Sequence, residues 1–406
     1  MKISGIAFLI VVMITATISF AEVRYNFTEL GTLGGTYNRA MGINNKGQIV
    51  GMSSDSAGGY AVLYNIDGTV MTLAPVGSRA NAINDNGLVV GELYGEAYKF
   101  DLSGAGNNTQ LVQHPTPPPP PLPGEISEYY YGGSTATSVN NNDQIVGLRR
   151  VGRSLSLGLD DPELISIDSS GSGQYTSLGH GTGNSINDSG QIVGQARFDW
   201  TTTTAAYYWN PVNGYQSVNL HELFSSPEFT LVSAGLPSQG SANWINSNGQ
   251  AVGGVPFQCG TDTMYFLGPD GLVEEQIPLW GERAAIFDLS GGFENLLLGT
   301  LGGSVSSAMC INGKDQIVGW AADVANEYRA TLFDPSGSGN NIDLNTLVEL
   351  PQGWLLSSAV GINDNGWIIG NAMTPDGERA FLLTPVPEPV SLVMFGVGTL
   401  LLKCRQ

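Results

Sequence analysis

Short apolar runs alternate with clusters of Gly, Asn, Asp, Ser and Pro along most of the chain. Such runs, bounded by turn-forming residues, predict strands rather than helices. One pattern recurs seven times without gaps: AMGINNKGQIVG (40–51), ANAINDNGLVVG (80–91), ATSVNNNDQIVG (136–147), GNSINDSGQIVG (183–194), ANWINSNGQAVG (242–253), AMCINGKDQIVG (308–319) and AVGINDNGWIIG (359–370). Every copy places an Asn after an apolar residue: Asn44, Asn84, Asn140, Asn187, Asn246, Asn312 and Asn363. Three positions later comes Gly47, Gly87, Gly190, Gly249 or Gly366, and in the other two copies Asp143 or Asp315. These types tolerate a positive φ better than most, as a hairpin loop requires. Each copy therefore reads as strand, Asn-led turn, strand. It closes on a glycine (Gly51, Gly91, Gly147, Gly194, Gly253, Gly319, Gly370), where the missing side chain lets another backbone pass close.

A looser second hairpin follows most copies, for example 60–77, 206–223 and 329–347. Two hairpins make four antiparallel strands per repeat. The Asn-to-Asn spacings of 40, 56, 47, 59, 66 and 51 residues suit propeller blades. Solenoid coils, which stack at near-constant period, fit them poorly. The last copy is followed by one strand only, RAFLLTP (379–385), and VRYNFTEL (23–30) is a strand with no blade of its own. The expectation is an all-β, seven-bladed propeller over 22–385, closed by pairing the N-terminal strand with the last blade. Two irregularities remain. Residues 254–299 hold two strand-turn-strand units, read as an inserted hairpin in preference to an extra blade. HPTPPPPPLPGEISE (114–128) cannot join a central strand and is read as a projecting loop.

The two ends change the picture of where the protein works. Lys2, the apolar run 6–18 and the small residues Ser19 and Ala21 read as a secretory signal peptide over 1–21. At the other end, Pro387-Glu388-Pro389 precedes the apolar run 390–402 and the basic Lys403 and Arg405. Thirteen residues give a helix of roughly 20 Å, short for a full membrane span. The order of these parts over 386–406 closely resembles the PEP-CTERM sorting signal of Gram-negative bacteria. That resemblance implies an exosortase-type processing enzyme as a partner, and delivery to the cell surface or matrix after transient anchoring. A plain C-terminal anchor, and so a membrane-anchored envelope protein, is the alternative.

The repeats carry a second resemblance. Leu30-Gly31-Thr32-Leu33-Gly34-Gly35 and Leu298-Gly299-Thr300-Leu301-Gly302-Gly303 each lead into a copy of the repeat, and Arg379-Ala380-Phe381-Leu382 follows the last. Over about 25–385 the chain looks like the HAF extracellular repeat family. That likeness implies an exported repeat protein and transfers no catalytic residue.

Composition narrows the chemistry. A formal charge of −20 repels phosphate backbones, so nucleic acid is not an expected partner. Cys259 and Cys310 are the cysteines of the repeat region; one disulfide or two small buried hydrophobes both fit. The three histidines, His114, His180 and His221, sit in no catalytic or metal-binding spacing. The pairs Asn84-Asp85, Asn187-Asp188 and Asn363-Asp364 leave calcium open as a cofactor, but one carboxylate per hairpin suits turn chemistry better. Tyr207, Tyr208 and Trp209 suit a glycan platform or, at a repeated strand position, the core. The preferred function is a non-catalytic scaffold or binding module, associated with exopolysaccharide or another surface protein, as in a biofilm matrix. The alternative is a carbohydrate-active enzyme with carboxylates in a central channel.

Overall fold

The computed structural model describes residues 24–113, 133–151, 161–197, 204–213, 216–219, 240–268, 271–289 and 296–386. The expected signal peptide, the Pro-rich loop and Pro387, Glu388 and Pro389 with the apolar run after them lie outside the described residues. These form seven four-stranded antiparallel sheets arranged as the blades of a propeller. The inner strands of blades 1 to 7 are Asn38–Ile43, Ser78–Ile83, Ser134–Val139, Thr182–Ile186, Ser241–Ile245, Gly302–Ile311 and Leu355–Ile362. Each pairs with the strand that follows its Asn-led turn, so all seven sequence copies are the two innermost strands of a blade.

The blade order follows from burial on both faces. In the Gln-Ile-Val triplets, neighbouring residues point to opposite faces of the sheet. Ile49 packs into the joint with blade 7 and Val50 into the joint with blade 2. Val89 and Val90, Ile145 and Val146, and Ile368 and Ile369 divide in the same way. A strand wetted on one face would alternate apolar with polar residues; these cannot, because a blade has a neighbour on each side. The hydrophobic core is accordingly seven clusters, one per joint. The third strands add Ala61, Ala97, Ala206, Ala284, Ala330 and Ala380, all fully buried, and large side chains near their ends such as Tyr64, Trp209, Phe287 and Phe333. Tyr207 and Tyr208 are buried with Trp209. All three belong to the core and form no platform.

Each closing glycine has the close neighbour its sequence implies. A Cβ on Gly51, Gly194 or Gly370 would stand 2.0, 1.8 or 2.2 Å from the carbonyl oxygen of Arg39, Thr182 or Ser358 on the inner strand. The cause is a β-bulge in every inner pair, as between Ala40 and Gly42 opposite Gly51 and Val50. The extra residue re-aims the inner strand locally, and only glycine fits across from it.

The ring closes as the strand counts require. Tyr25–Glu29 lies antiparallel on the outside of Gly377–Pro385, with Tyr25 opposite Pro385 and Glu29 opposite Phe381. Beyond the strand, Leu30 donates its N–H to the Ala380 carbonyl. Leu30 and Leu298, which open the two LGTLGG segments, are both fully buried where the chain leaves an outer strand for the next inner one. Thr32 and Thr300 accept the N–H of Gly34 and Gly302, folding each crossing into a tight turn.

The insertion at 254–299 has a simpler form than a separate hairpin. The second and third strands of blade 5 run on without a break, as Gln250–Gly268 and Gly271–Asp288, paired along their length. An extra blade is ruled out, because the blade is completed by the outer strand Leu296–Gly299. Cys310 is a free thiol, fully buried between blades 6 and 7, and desolvation pushes its pKa up to about 12. His180 is the exposed last residue of an outer strand.

Candidate functional site

The seven Asn-led turns converge on one mouth of the propeller axis, around a cavity of about 180 Å³. In each, the Asn N–H donates to the carbonyl four residues on, and the residue three positions on donates back to the Asn carbonyl. That residue has positive φ in every copy, including +59° at Asp143 and +62° at Asp315. All seven turns therefore share one backbone conformation, which glycine supplies in five blades and Asp in two.

The seven Asn side chains do more than turn the chain. All are 4–5% exposed. Each Oδ1 accepts backbone N–H groups within its own turn, as from Lys46 and Gln48 at Asn44. Each Nδ2 crosses to the next blade and donates to the carbonyl of the corresponding Asn. Asn44 reaches Asn84, Asn84 reaches Asn140, Asn140 reaches Asn187 and Asn187 reaches Asn246, at 2.8–3.0 Å. Asn246 then reaches Asn312, Asn312 reaches Asn363 and Asn363 returns to Asn44, at 3.0–3.2 Å. The result is a closed ring of seven inter-blade hydrogen bonds. A turn alone would accept Asp or Ser at this position; of the three, only Asn carries its acceptor and its donor on two separate atoms, so that one holds the turn while the other reaches the next blade. The sequence signal was present, in seven Asn with no Asp or Ser among them, but the partner lay a whole repeat away.

A second ring stands outside the first, on the residue after each Asn. The Asn45 N–H donates to Asp85, that of Asp85 to Asn141 and that of Asn141 to Asp188, at 2.7–2.9 Å. The Gly313 N–H donates to Asp364 and that of Asp364 to Asn45, both at 2.8 Å. This ring is interrupted in one place, where Ser247 and Gly313 provide no such acceptor to blades 4 and 5. The carboxylates of the Asn-Asp pairs thus face backbone donors of the preceding blade. That is turn and joint chemistry, and among the described residues no group of three or more His, Cys, Asp or Glu is placed to hold a metal ion. A third set was not foreseen at all. The bulged residues Asn81, Thr137, Asn184 and Asn243 each donate to an inner-strand carbonyl of the next blade.

Other titratable groups lie away from the axis. Exposed Asp67 and Asp168 and half-buried Asp101 and Asp334 sit in outer turns, where hydroxyl and backbone donors hold their carboxyls below the usual range. Burial pushes the Glu282 carboxyl upward, opposed by a hydrogen bond from Ser307. No described helix is long and apolar enough to cross a membrane. Neither a protein-family model nor a curated protein sequence matches the chain.

Proposed function

We propose that this chain is an exported, non-catalytic surface or matrix protein whose seven-bladed propeller serves as a binding or scaffold module, of the extracellular-repeat type its motifs resemble. The observation that carries this reading is the use of the axial mouth. The convergent amides and carboxylates there, the groups a channel enzyme would draw on, are spent on joining one blade to the next. A rigid closed ring is what a scaffold needs, and it presents its edges and the grooves between blades to partners. In this proposal the Pro387-Glu388-Pro389 tail delivers the body through an exosortase-type enzyme, and the partner outside is exopolysaccharide or another surface protein.

The test is cell fractionation of a tagged chain beside an Asp85→Asn, Asp188→Asn, Asp364→Asn triple variant. The proposal expects the parent in the surface or medium fraction, and no turnover of any polysaccharide in a hydrolase and lyase panel by either protein. A cytoplasmic location would overturn the export reading. Turnover abolished by the triple variant would establish the enzyme alternative instead.

A further inference from the structure

In five of the seven turns the residue four positions after the Asn is Gln: Gln48, Gln144, Gln191, Gln250 and Gln316. In all five its Oε1 accepts the Asn Nδ2, at 2.7–3.0 Å. Blade 2 has Leu88, and there Asn84 turns to the Asp143 carboxylate at 2.7 Å. Blade 7 has Trp367, and Asn363 keeps only the Asn44 carbonyl. The tryptophan thus replaces a side chain that would add a hydrogen bond to the ring. Its ring reaches across the joint to blade 1 and lies against Gly47, where an added Cβ would stand 2.6 Å from Cζ3.

Trp367 remains only partly buried and forms a wall of a cavity of about 410 Å³. That volume lies in the range of small-molecule sites. The cavity is also lined by Lys46, Gln48, Asn65 and Asp67, and by Ile66, which is 60% exposed. The corresponding cavity at blade 2, lined by Leu88, Lys99 and Asp101, has no accessible aromatic face. Among the described residues the Lys46 ammonium has no hydrogen bond or ion pair. Asp67 is turned toward Thr69, which donates both its N–H and its hydroxyl to Oδ1, so Oδ2 has no donor.

We propose that the joint between blades 7 and 1 is a carbohydrate site, in which a pyranose unit of a polysaccharide stacks on Trp367 and hydrogen-bonds to Lys46, Gln48 and Asp67. The chemistry matches part by part. The C–H face of a pyranose is apolar and weakly positive, and it meets the negative face of an indole. The hydroxyls at the rim of the sugar need donors and acceptors side by side, which an ammonium, an amide and a carboxylate supply. An open cavity on the face of the ring admits an internal unit of a long chain as well as an end. This deepens the binding-module reading and rests on it.

The experiment is affinity electrophoresis of the full chain through gels containing a soluble glucan, a galactomannan or a polyuronate, with Trp367→Gln, Asp67→Asn and Leu88→Gln as variants. Trp367→Gln installs the residue five blades already use, so the hydrogen bond it adds to the ring offsets part of the packing lost with the indole, and the variant should still unfold in one cooperative transition. The parent should be retarded in at least one gel. Trp367→Gln should lose that retardation by tenfold or more in apparent affinity, Asp67→Asn should lose part of it, and Leu88→Gln should keep it. Retardation of Trp367→Gln equal to the parent's would overturn this site while leaving a carbohydrate-binding propeller intact. No retardation of the parent in any gel would overturn the ligand class, whereas the surface location is decided separately by fractionation.

Discussion

Asn363 shows what one side chain does in this ring. Its Oδ1 accepts from Asn365 and Trp367 while its Nδ2 donates across the seam to Asn44. Asn363→Asp keeps the acceptor, removes the donor and places a charge where the site is 4% exposed. Loss of a buried partner costs about 1–3 kcal/mol, and more when a charge is left. We expect thermal unfolding to show a loss of about 2–3 kcal/mol, and an unchanged melting temperature would refute the ring's role. The interrupted second ring makes the opposite forecast. Ser247→Asn supplies the acceptor that Asn45 and Asn141 supply elsewhere, and should add about 1 kcal/mol; a lower melting temperature would count against it. At Gly366 the backbone has φ +76°, and an added Cβ would stand 3.3 Å from Pro385. Gly366→Val should therefore melt well below Gly366→Asp, since Asp143 and Asp315 already occupy this conformation. Equal melting temperatures for the two variants would remove the turn assignment.

The hairpins divide into those the sequence announced and those it left vague. The inner ones were legible because turn chemistry is local: Asn, the positive-φ residue and the closing glycine all act within twelve positions. The bulge opposite each closing glycine was not legible, because it is a property of pairing between two strands. Neither was the continuity of Gln250–Gly268 with Gly271–Asp288, since Gly254 and Gly260 look like breaks in the linear text. The outer hairpins depend on Asp-led loops. In the best-bound of these, Ser170 and Ser172 hydroxyls and the Ser170 N–H hold the Asp168 carboxyl at about 2, from an ordinary value of 3.8. A carboxyl depressed on folding stabilises above its unfolded value and loses that contribution as pH falls through the folded one. The window is therefore between about pH 4 and pH 2. Asp168→Asn should be less stable than the parent at pH 7 and should lose less on acidification across that window. Parallel pH profiles for the two proteins would show that the loop adds nothing.

Closure belongs to the molecule as a whole, and the sequence disclosed it through arithmetic: one blade short of a strand, one strand short of a blade. What it hid were the groups that lock the seam. These include the Arg39–Glu378 ion pair at 2.8 Å and the Asn363–Asn44 bond, both joining residues more than three hundred positions apart. Their partners are set by blade order, which no short window contains. Deleting Val23 to Leu30 removes the outer strand of blade 7 and the fully buried Leu30, and bares the free edge of Gly377–Pro385. That protein should aggregate or melt early. Removal of residues 115–124, which lie outside the described residues and read in the sequence as a projecting loop, should be nearly silent. If both deletions stay monomeric with the parent's melting temperature, the N-terminal strand closes nothing.

The same seam sets a clock. Tyr25–Glu29 is made early, and its partner Gly377–Pro385 follows roughly 350 residues later. At typical elongation rates the first strand waits about 20–70 s before its own last blade exists. During that interval its backbone donors and acceptors are available to any unfinished blade, including the last blade of an older copy of the same chain. Pairing there would be chemically identical to the correct pairing and would link two rings through exchanged strands. Yield of single rings is therefore a matter of concentration and timing as well as stability, so slow or crowded synthesis favours chains linked end to blade.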